Sequence, residues 1–514
     1  MKKNWIWALA AALLLSATPA AAATTVSTET GRVRGVEADG VASWLGVPYA
    51  APPLGELRWR PPQPARAWSG VRQAKAFAPA CLQQGVSMPG EPDPKVDEDC
   101  LYLNVWAPAH GARRAPVMVF IHGGGWTNGA TALPLYWGDR LAKRGVVVVS
   151  VNYRLGPLGF LAHPELSRES GVGASGNYGL MDQIAALKWV RRNIAEFGGD
   201  PDQVTIFGQS AGAMSVSVLT ASPAAKGLFH RAIGQSGGLF EPLSLAPQYG
   251  LAEAEKQGEA YAASVGASSL AELRALPAAR LLQGKAHQIS HPVVEPRVMP
   301  MSPYDAYVAG RQAEVPVLVG YNAEEARSLT DVTGITAANF GDKLTRAWGP
   351  LPPQIAAAYP FTTDEEAQRA RVDLERDLRF GWDMWAWARL QHGHAPVWLY
   401  RFDRHPPFPA GSVRADWGAS HFAELWYMFD HLDQEPWAWS AADRAAADAM
   451  AGYWVNFART GDPNGPGLPA WAPFDGGSSL CFEDRPTPCD LPDRKTLSAF
   501  DAAYDAVRGQ PFGR

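Results

Sequence analysis

The chain has 514 residues, with 46 Lys and Arg against 51 Asp and Glu for a net charge of −5, and its apolar content is high enough to build a large core. No basic block or Lys/Arg stripe is present, which excludes nucleic acid and anionic membrane as expected partners. The 43 prolines point to long stiff surface loops, and the 20 tryptophans to a heavily aromatic interior.

In chain order, residues 1 to about 23 read as a secretory signal. Lys2 and Lys3 precede the apolar run Trp5 to Leu15, and Thr18-Pro19-Ala20-Ala21-Ala22-Ala23 offers a small-residue cleavage site. The run is too short to span a bilayer well, and no other stretch is long and apolar enough to do so. The mature chain, 24–514, is therefore expected to be exported, in the periplasm or secreted. Its four cysteines form two close pairs in sequence, Cys81 with Cys100 and Cys481 with Cys489, and local disulfides are the simplest of three connectivities. The spacings do not suit zinc and no histidine lies near either pair, so no metal is expected.

Val26 to Tyr49 alternates and carries turns at Thr30-Gly31 and Asp39-Gly40, which predicts antiparallel hairpins. A proline-rich surface loop follows over Ala50 to Pro64. Leu101 to Trp106, Pro116 to His122 and Gly145 to Tyr153 read as strands, the last with valines so continuous that both faces are expected to be covered. Gly179 to Phe197 has helical apolar spacing and stops at Gly198-Gly199-Asp200-Pro201. Alternation of strand and helix predicts one doubly wound, mostly parallel α/β sheet. From Glu241 to about Val397 the pattern is mostly helical, interrupted by a strand at Val315 to Tyr321, and is read as a helical cap over the sheet. Val397 to Phe402 and Leu480 to Glu483 are further strands, and Ala441 to Ala458 a helix.

The chemistry centres on Asp202 to Leu219. Val204 to Phe207 make a short buried strand, Gly208-Gln209-Ser210-Ala211-Gly212 fits G-x-S-x-G, and a helix can follow. Such a strand–turn–helix lifts the serine above the sheet at a helix N-terminus, where developing negative charge is favoured. Gly234-Gln235-Ser236-Gly237-Gly238 matches the same pattern but runs into Glu241-Pro242 with no helix start, so Ser236 is expected to support the site rather than react. Downstream, the strand at Val315 ends in Asn322-Ala323-Glu324-Glu325, which brings a carboxylate to the C-terminal sheet edge. His421, in Trp417-Gly418-Ala419-Ser420-His421, is the best-placed base. Gly123-Gly124-Gly125 follows a strand, and bare backbone N–H groups there, with that of Ala211, can hold an oxyanion. No Gly-Lys-Ser/Thr ending accompanies these glycines, which argues against a phosphate loop. Nor does any flavin, nucleotide or pyridoxal signature stand out, and no cofactor is expected. His392-Gly393-His394 is read as a helix end, and Trp382, Trp385 and Arg389 as packing.

Taken together these segments resemble the type-B carboxylesterase family, relatives of the cholinesterases. The resemblance rests on Trp44-Leu45-Gly46-Val47-Pro48-Tyr49 with Leu57-Arg58-Trp59, on Glu98-Asp99-Cys100-Leu101-Tyr102-Leu103-Asn104-Val105, and on His122-Gly123-Gly124-Gly125-Trp126. It extends over Asn152-Tyr153-Arg154-Leu155-Gly156, Asn177-Tyr178-Gly179-Leu180-Met181-Asp182-Gln183 and Gly198-Gly199-Asp200-Pro201. It implies an α/β-hydrolase fold and a serine carboxylesterase acting on small-molecule esters. Ser210 then falls on the nucleophile, Glu325 on the acid, His421 on the base with Glu424 three residues on, and Gly124, Gly125 and Ala211 on the oxyanion hole. Cys81–Cys100 matches the family's first disulfide. A lipase or polyester hydrolase, or a non-catalytic binding protein on the same fold, are the alternatives. Two departures stand out. Gln209 replaces the family's usual Glu and removes a negative charge beside the histidine, so an imidazolium is less stabilised. The loop Leu82 to Asp99 lacks an aromatic residue to hold a quaternary ammonium, which argues against choline esters.

Overall fold

The computed structural model describes residues 24–85, 93–109 and 113–514. The proposed signal segment lies outside the described residues. The centre is a sheet of eleven described strands. In spatial order these are Pro486–Asp490, Ser478–Phe482, Val397–Phe402, Val317–Asn322, Arg231–Gln235, Gly199–Gln209, Ala115–Ile121, Val147–Val151, Tyr102–Pro108, Val41–Pro48 and Val36–Ala38. From Ser478–Phe482 to Val147–Val151 every neighbour is parallel. Both flanks are antiparallel.

The apolar runs explain this arrangement. Val147, Val149 and Val151 pack on one face with Val117, Val119, Ile121, Val204 and Ile206. Val148, Met118, Phe120 and Phe207 pack on the other. Alternate side chains thus enter two separate cores, each full burial contributing roughly 1.5–3 kcal/mol. Among the covering helices, Tyr178–Asn193 and Ala211–Ala221 contribute to the first core, and Ala441–Thr460 to the second. Between residues 241 and 397 the chain is largely helical, with Leu251–Ser264, Phe340–Trp348, Asp364–Arg376 and Trp382–Gln391 as its longer helices. No helix among the described residues is long and apolar enough to cross a membrane.

Several of the sequence motifs meet as buried pairs. Arg154 donates from Nε and Nη2 to Asp182, both at 2.7 Å, so the segments around Asn152 and Asn177 are clamped together. Arg58 grips Glu98 with bonds of 2.7 and 2.6 Å. Both cysteine pairs are disulfides, Cys81–Cys100 and Cys481–Cys489. The second staples the strand Ser478–Phe482 to Pro486–Asp490, an edge strand that sequence patterning misses because its two prolines and outward polar residues give no apolar run. The C-terminal helix Arg494–Arg508 is a further element not anticipated.

Register is what positions the site. Gly208 is level with Ile121 on one side and Gly234 on the other, and Gln235 is level with Gly320. Four parallel strands therefore end at one edge. The segments that leave them are Gly123–Gly125, Ser210, Ser236 and Asn322–Glu325.

Candidate active site

Ser210 sits between the strand Gly199–Gln209 and the helix Ala211–Ala221 with φ 58° and ψ −130°. A non-glycine residue held there is strained, and the strain persists because the turn is fixed on both sides. A Cβ on Gly212 would stand 2.0 Å from the carbonyl oxygen of Ile121, and one on Gly208 would stand 2.5 Å from the backbone of Gly212. The helix is thus pressed against the neighbouring strand as closely as bare backbone allows. Ser210 N–H donates to Gln235 O at 2.9 Å, fastening the turn to the adjacent strand end.

The glycine turn at the end of Ala115–Ile121 is wound by positive φ at Gly124 (102°), Gly125 (59°) and Trp126 (55°). A Cβ at Gly124 would collide with Asn128 O at 2.1 Å. The turn closes on itself through Thr127 and Asn128 N–H donating to Gly124 O, at 3.0 and 3.1 Å. The N–H groups of Gly124, Gly125 and Ala211 donate to no described protein atom, and all three residues line the cavity with Ser210. His122 underpins the turn. Its ring stacks on Tyr153 at 4.4 Å, and burial pushes its pKa down to about 4, so the imidazole is neutral.

Glu325 and His421 meet at this edge. His421 Nδ1 lies 2.6 Å from Glu325 Oε2, and both side chains are buried. Glu325 Oε1 accepts the N–H of Asn322 at 2.7 Å, which fixes the carboxylate. Glu324 points away from the imidazole and braces the loop instead. Its backbone N–H donates to Ala419 O, and its Oε2 accepts from Ala419 N, both at 2.9 Å. A Cβ on Gly418 would lie 1.8 Å from Glu324 Oε2, so the loop before His421 needs its glycine, at φ 58°. Phe380 stacks on the imidazole at 4.5 Å and 13°. Sequence reasoning gave no role to Phe380, because nothing in a helical apolar stretch says which face meets a loop 41 positions later.

Gln209 is fully buried, with its amide nitrogen 3.2 Å from His421 Nε2 and 3.4 Å from Nδ1. A neutral amide therefore occupies the place beside the ring. Ser236 also has positive φ, 54°, but it is fully buried, its hydroxyl meets no partner, and no helix follows it. Its neighbour Gly237 packs against Ser210, where a Cβ would be 2.4 Å from Ser210 O. Ser236 is thus part of the floor. Glu424 makes no bond to His421. It accepts from Asn322 Nδ2 at 2.6 Å and Gln235 Nε2 at 3.1 Å, tying three strand and loop ends together. Burial, and then the nearby Glu325 charge, push its pKa up to about 8. Trp382, Trp385 and Arg389 pack away from the cavity: Arg389 pairs with Asp501 at 2.8 Å and lies 3.5 Å over Trp385. Phe380 and Asp383, from the same stretch, are the residues that reach the cavity. His392 and His394 end a helix, and no group of metal-ligating side chains occurs among the described residues.

Ser210, His421 and the glycine turn open on one cavity of about 850 Å³. A doubly wound sheet whose parallel strands end in a strained serine turn defines an α/β-hydrolase. More narrowly, the chain belongs to the carboxylesterase family, whose sequence profile matches residues 22–497. It is 39% identical to the fumonisin B1 esterase of Sphingopyxis macrogoltabida over 466 residues, covering 87% of this chain and 84% of that one. It is 36% identical to the para-nitrobenzyl esterase of Bacillus subtilis (strain 168), covering 85% and 90%. Among solved structures, a Geobacillus stearothermophilus carboxylesterase superposes with a TM-score of 0.79 at 36% identity, covering 93% of this chain and 99% of that one. The protein is a carboxylic-ester hydrolase.

Proposed function

We propose that the protein is an exported serine carboxylesterase with Ser210 as nucleophile, His421 as general base and Glu325 as its orienting acid. The observation that carries this reading is the buried 2.6 Å contact of His421 Nδ1 with Glu325 Oε2, at the edge of the cavity that Ser210 also lines. With Nδ1–H donated to the carboxylate, Nε2 keeps its lone pair and takes the Ser210 proton as Oγ attacks the ester carbonyl. Negative charge develops on the carbonyl oxygen, and the free N–H groups of Gly124, Gly125 and Ala211 stabilise it, each donor typically supplying ~10²–10³ in rate. His421 then protonates the leaving alcohol, and water attacks the acyl-enzyme by the same route in reverse.

The helical segments between residues 241 and 397 serve as a cap. Leu245, Tyr249, Trp348 and Phe380 from this region line the cavity and set what fits. A volume of about 850 Å³ suits a mid-sized ester. Both disulfides, with the leader-like first 23 residues, support export into an oxidising compartment. The test is turnover of p-nitrophenyl acetate, with labelling by a serine-directed organophosphate. Both are expected to vanish in Ser210→Ala while the circular dichroism spectrum is kept. Retained turnover in that folded variant removes Ser210 from the role.

A further inference from the structure

The cap contributes a cation to the cavity. Arg379 is the only Lys or Arg among the described residues that line it, with Trp348, Leu378 and Phe380 on the same wall. It belongs to Asp377–Gly381, a single π-helical turn between the helices Asp364–Arg376 and Trp382–Gln391. Such turns are rare and often mark functional positions. Here the turn lays Phe380 on the His421 ring and carries Arg379 one residue spacing away, about 3.8 Å along the chain.

Arg379 is held by one edge of its guanidinium. Nε and Nη2 donate to Glu375 Oε2 at 3.1 and 2.9 Å, and the group lies 4.4 Å from the centroid of the Trp348 ring. A guanidinium carries five N–H groups in one plane. Stacking covers a face and Glu375 takes the Nε edge, which leaves the edge formed by Nη1 and Nη2. Nη1 donates to no described residue and is not shielded from solvent, and the side chain is 31% exposed.

The charges around this turn do not balance. Arg371 donates from Nε to Glu375 Oε1 at 2.6 Å, and the buried Glu375 also accepts the Thr330 hydroxyl at 2.6 Å. Two guanidinium groups thus share one carboxylate, and neither pairs with another acid among the described residues. One positive charge is left over, and Arg379 is where it meets the cavity. The acids on the cavity wall do not cancel it. Glu241 and Asp383 make no ion pair with Arg379, burial raises the carboxyl pKa of both, and the Arg508 charge acts on both.

We propose that the free edge of Arg379, stacked on Trp348, is a subsite for a carboxylate carried by the substrate, so that the esters this enzyme takes include half-esters of dicarboxylic acids and acyloxy acids. A planar fork of N–H donors matches a carboxylate at two points, which a lysine in its place does not. The carboxylate is bound as an ion pair and no bond to it breaks, while the ester at the other end of the substrate reacts at Ser210.

This inference rests on Ser210 as the nucleophile. It is tested with esters that carry a carboxylate on either side of the ester bond, each against an isostere with an isopropyl group in its place. On the acyl side these are monoethyl succinate with ethyl 4-methylpentanoate, and monoethyl adipate with ethyl 6-methylheptanoate. On the alcohol side they are 4-acetoxybutanoate with 4-methylpentyl acetate, and 6-acetoxyhexanoate with 6-methylheptyl acetate. In Arg379→Gln the ratio of kcat/KM, anion over isostere, is expected to fall about tenfold in at least one pair. A fall under about threefold in all four pairs, whether or not the overall rates drop, overturns the subsite. Should Arg379→Gln not fold, the wild type decides. It is expected to hydrolyse at least one anion as fast as its isostere, and slower turnover of all four anions overturns the proposal. Binding separates this inference from the reading it rests on. In Ser210→Ala, calorimetric binding of at least one of the four anions is expected to weaken when Arg379→Gln is added, and no weakening overturns the subsite. Weakening in a chain whose wild type hydrolyses none of the isosteres overturns the esterase reading and leaves the subsite standing.

Discussion

His421 and Glu325 are joined twice: side chain to side chain at 2.6 Å, and by the His421 backbone N–H donating to the Glu325 carbonyl at 3.2 Å. The second bond fixes the loop that carries the imidazole to the strand end that carries the carboxylate. The side-chain pair thus does not depend on loop flexibility for its geometry, and its removal is expected to change chemistry before structure. Glu325→Gln presents an amide where an imidazole N–H must be accepted, and the ring is then held in the wrong tautomer. Turnover of p-nitrophenyl acetate is expected to fall by about 10³–10⁴ with the fold retained, measured as kcat beside circular dichroism. A loss under tenfold refutes the assigned role.

The amide of Gln209 gives a second prediction. A carboxylate in that place puts negative charge within about 3.2–3.4 Å of the ring nitrogens and favours the imidazolium. A base must be neutral to take a proton, so Gln209→Glu reaches its active form at higher pH. The acid limb of kcat/KM is expected to move upward, by up to about one pH unit. A profile that moves downward contradicts the arrangement.

Glu424 links the site to stability. In the folded chain its carboxyl keeps a proton until about pH 8, while in the unfolded chain it loses it near pH ~4.3. Between these values the unfolded state binds fewer protons, so this group's contribution to stability falls as pH rises through the window. Glu424→Gln cannot ionise and removes that slope. Relative to wild type, the variant's apparent Tm at fixed scan rate is expected to gain a few degrees between pH 5 and pH 8.5. A difference that stays flat or reverses across that range would show that Glu424 ionises normally in the fold.

Gly212 tests the turn itself. A methyl group there meets the Ile121 carbonyl oxygen at 2.0 Å, in backbone that cannot swing aside. Gly212→Ala is expected to cost about 3 kcal/mol or more and to displace the Ala211 N–H, lowering both thermal stability and kcat. Gly40→Ala serves as the comparison. It has positive φ but nothing within 4 Å of its Cβ, so its cost is expected to stay near 1 kcal/mol and leave kcat unchanged.

Much of this was legible one segment at a time. The strands at Val147 and Val397 and the helix at Ala441 announce themselves by apolar spacing, since the side chains that fill a core are also the ones that set the period. The edge strand at Pro486 was not legible. It is held by pairing with Ser478–Phe482 and a disulfide rather than by burial, and pairing leaves no local pattern. The same holds within the site. Ser236 matched the serine motif as well as Ser210 did, and local context alone, a missing helix, told them apart. Glu424, placed by the sequence only three residues past His421, bridges Asn322 and Gln235, because its direction depends on where two distant strands end.

The sequence by itself determined the order of most strands and helices, the glycine positions where backbone must approach backbone, and which of two serine motifs opens into a helix, since each follows from steric and apolar rules acting within a few residues. The tertiary structure alone decided how closely Glu325 meets His421 and that Phe380 lies on the ring. Those are contacts between segments up to 96 positions apart, and they are set by strand register and by which face of a helix turns inward, neither of which any local stretch of residues encodes.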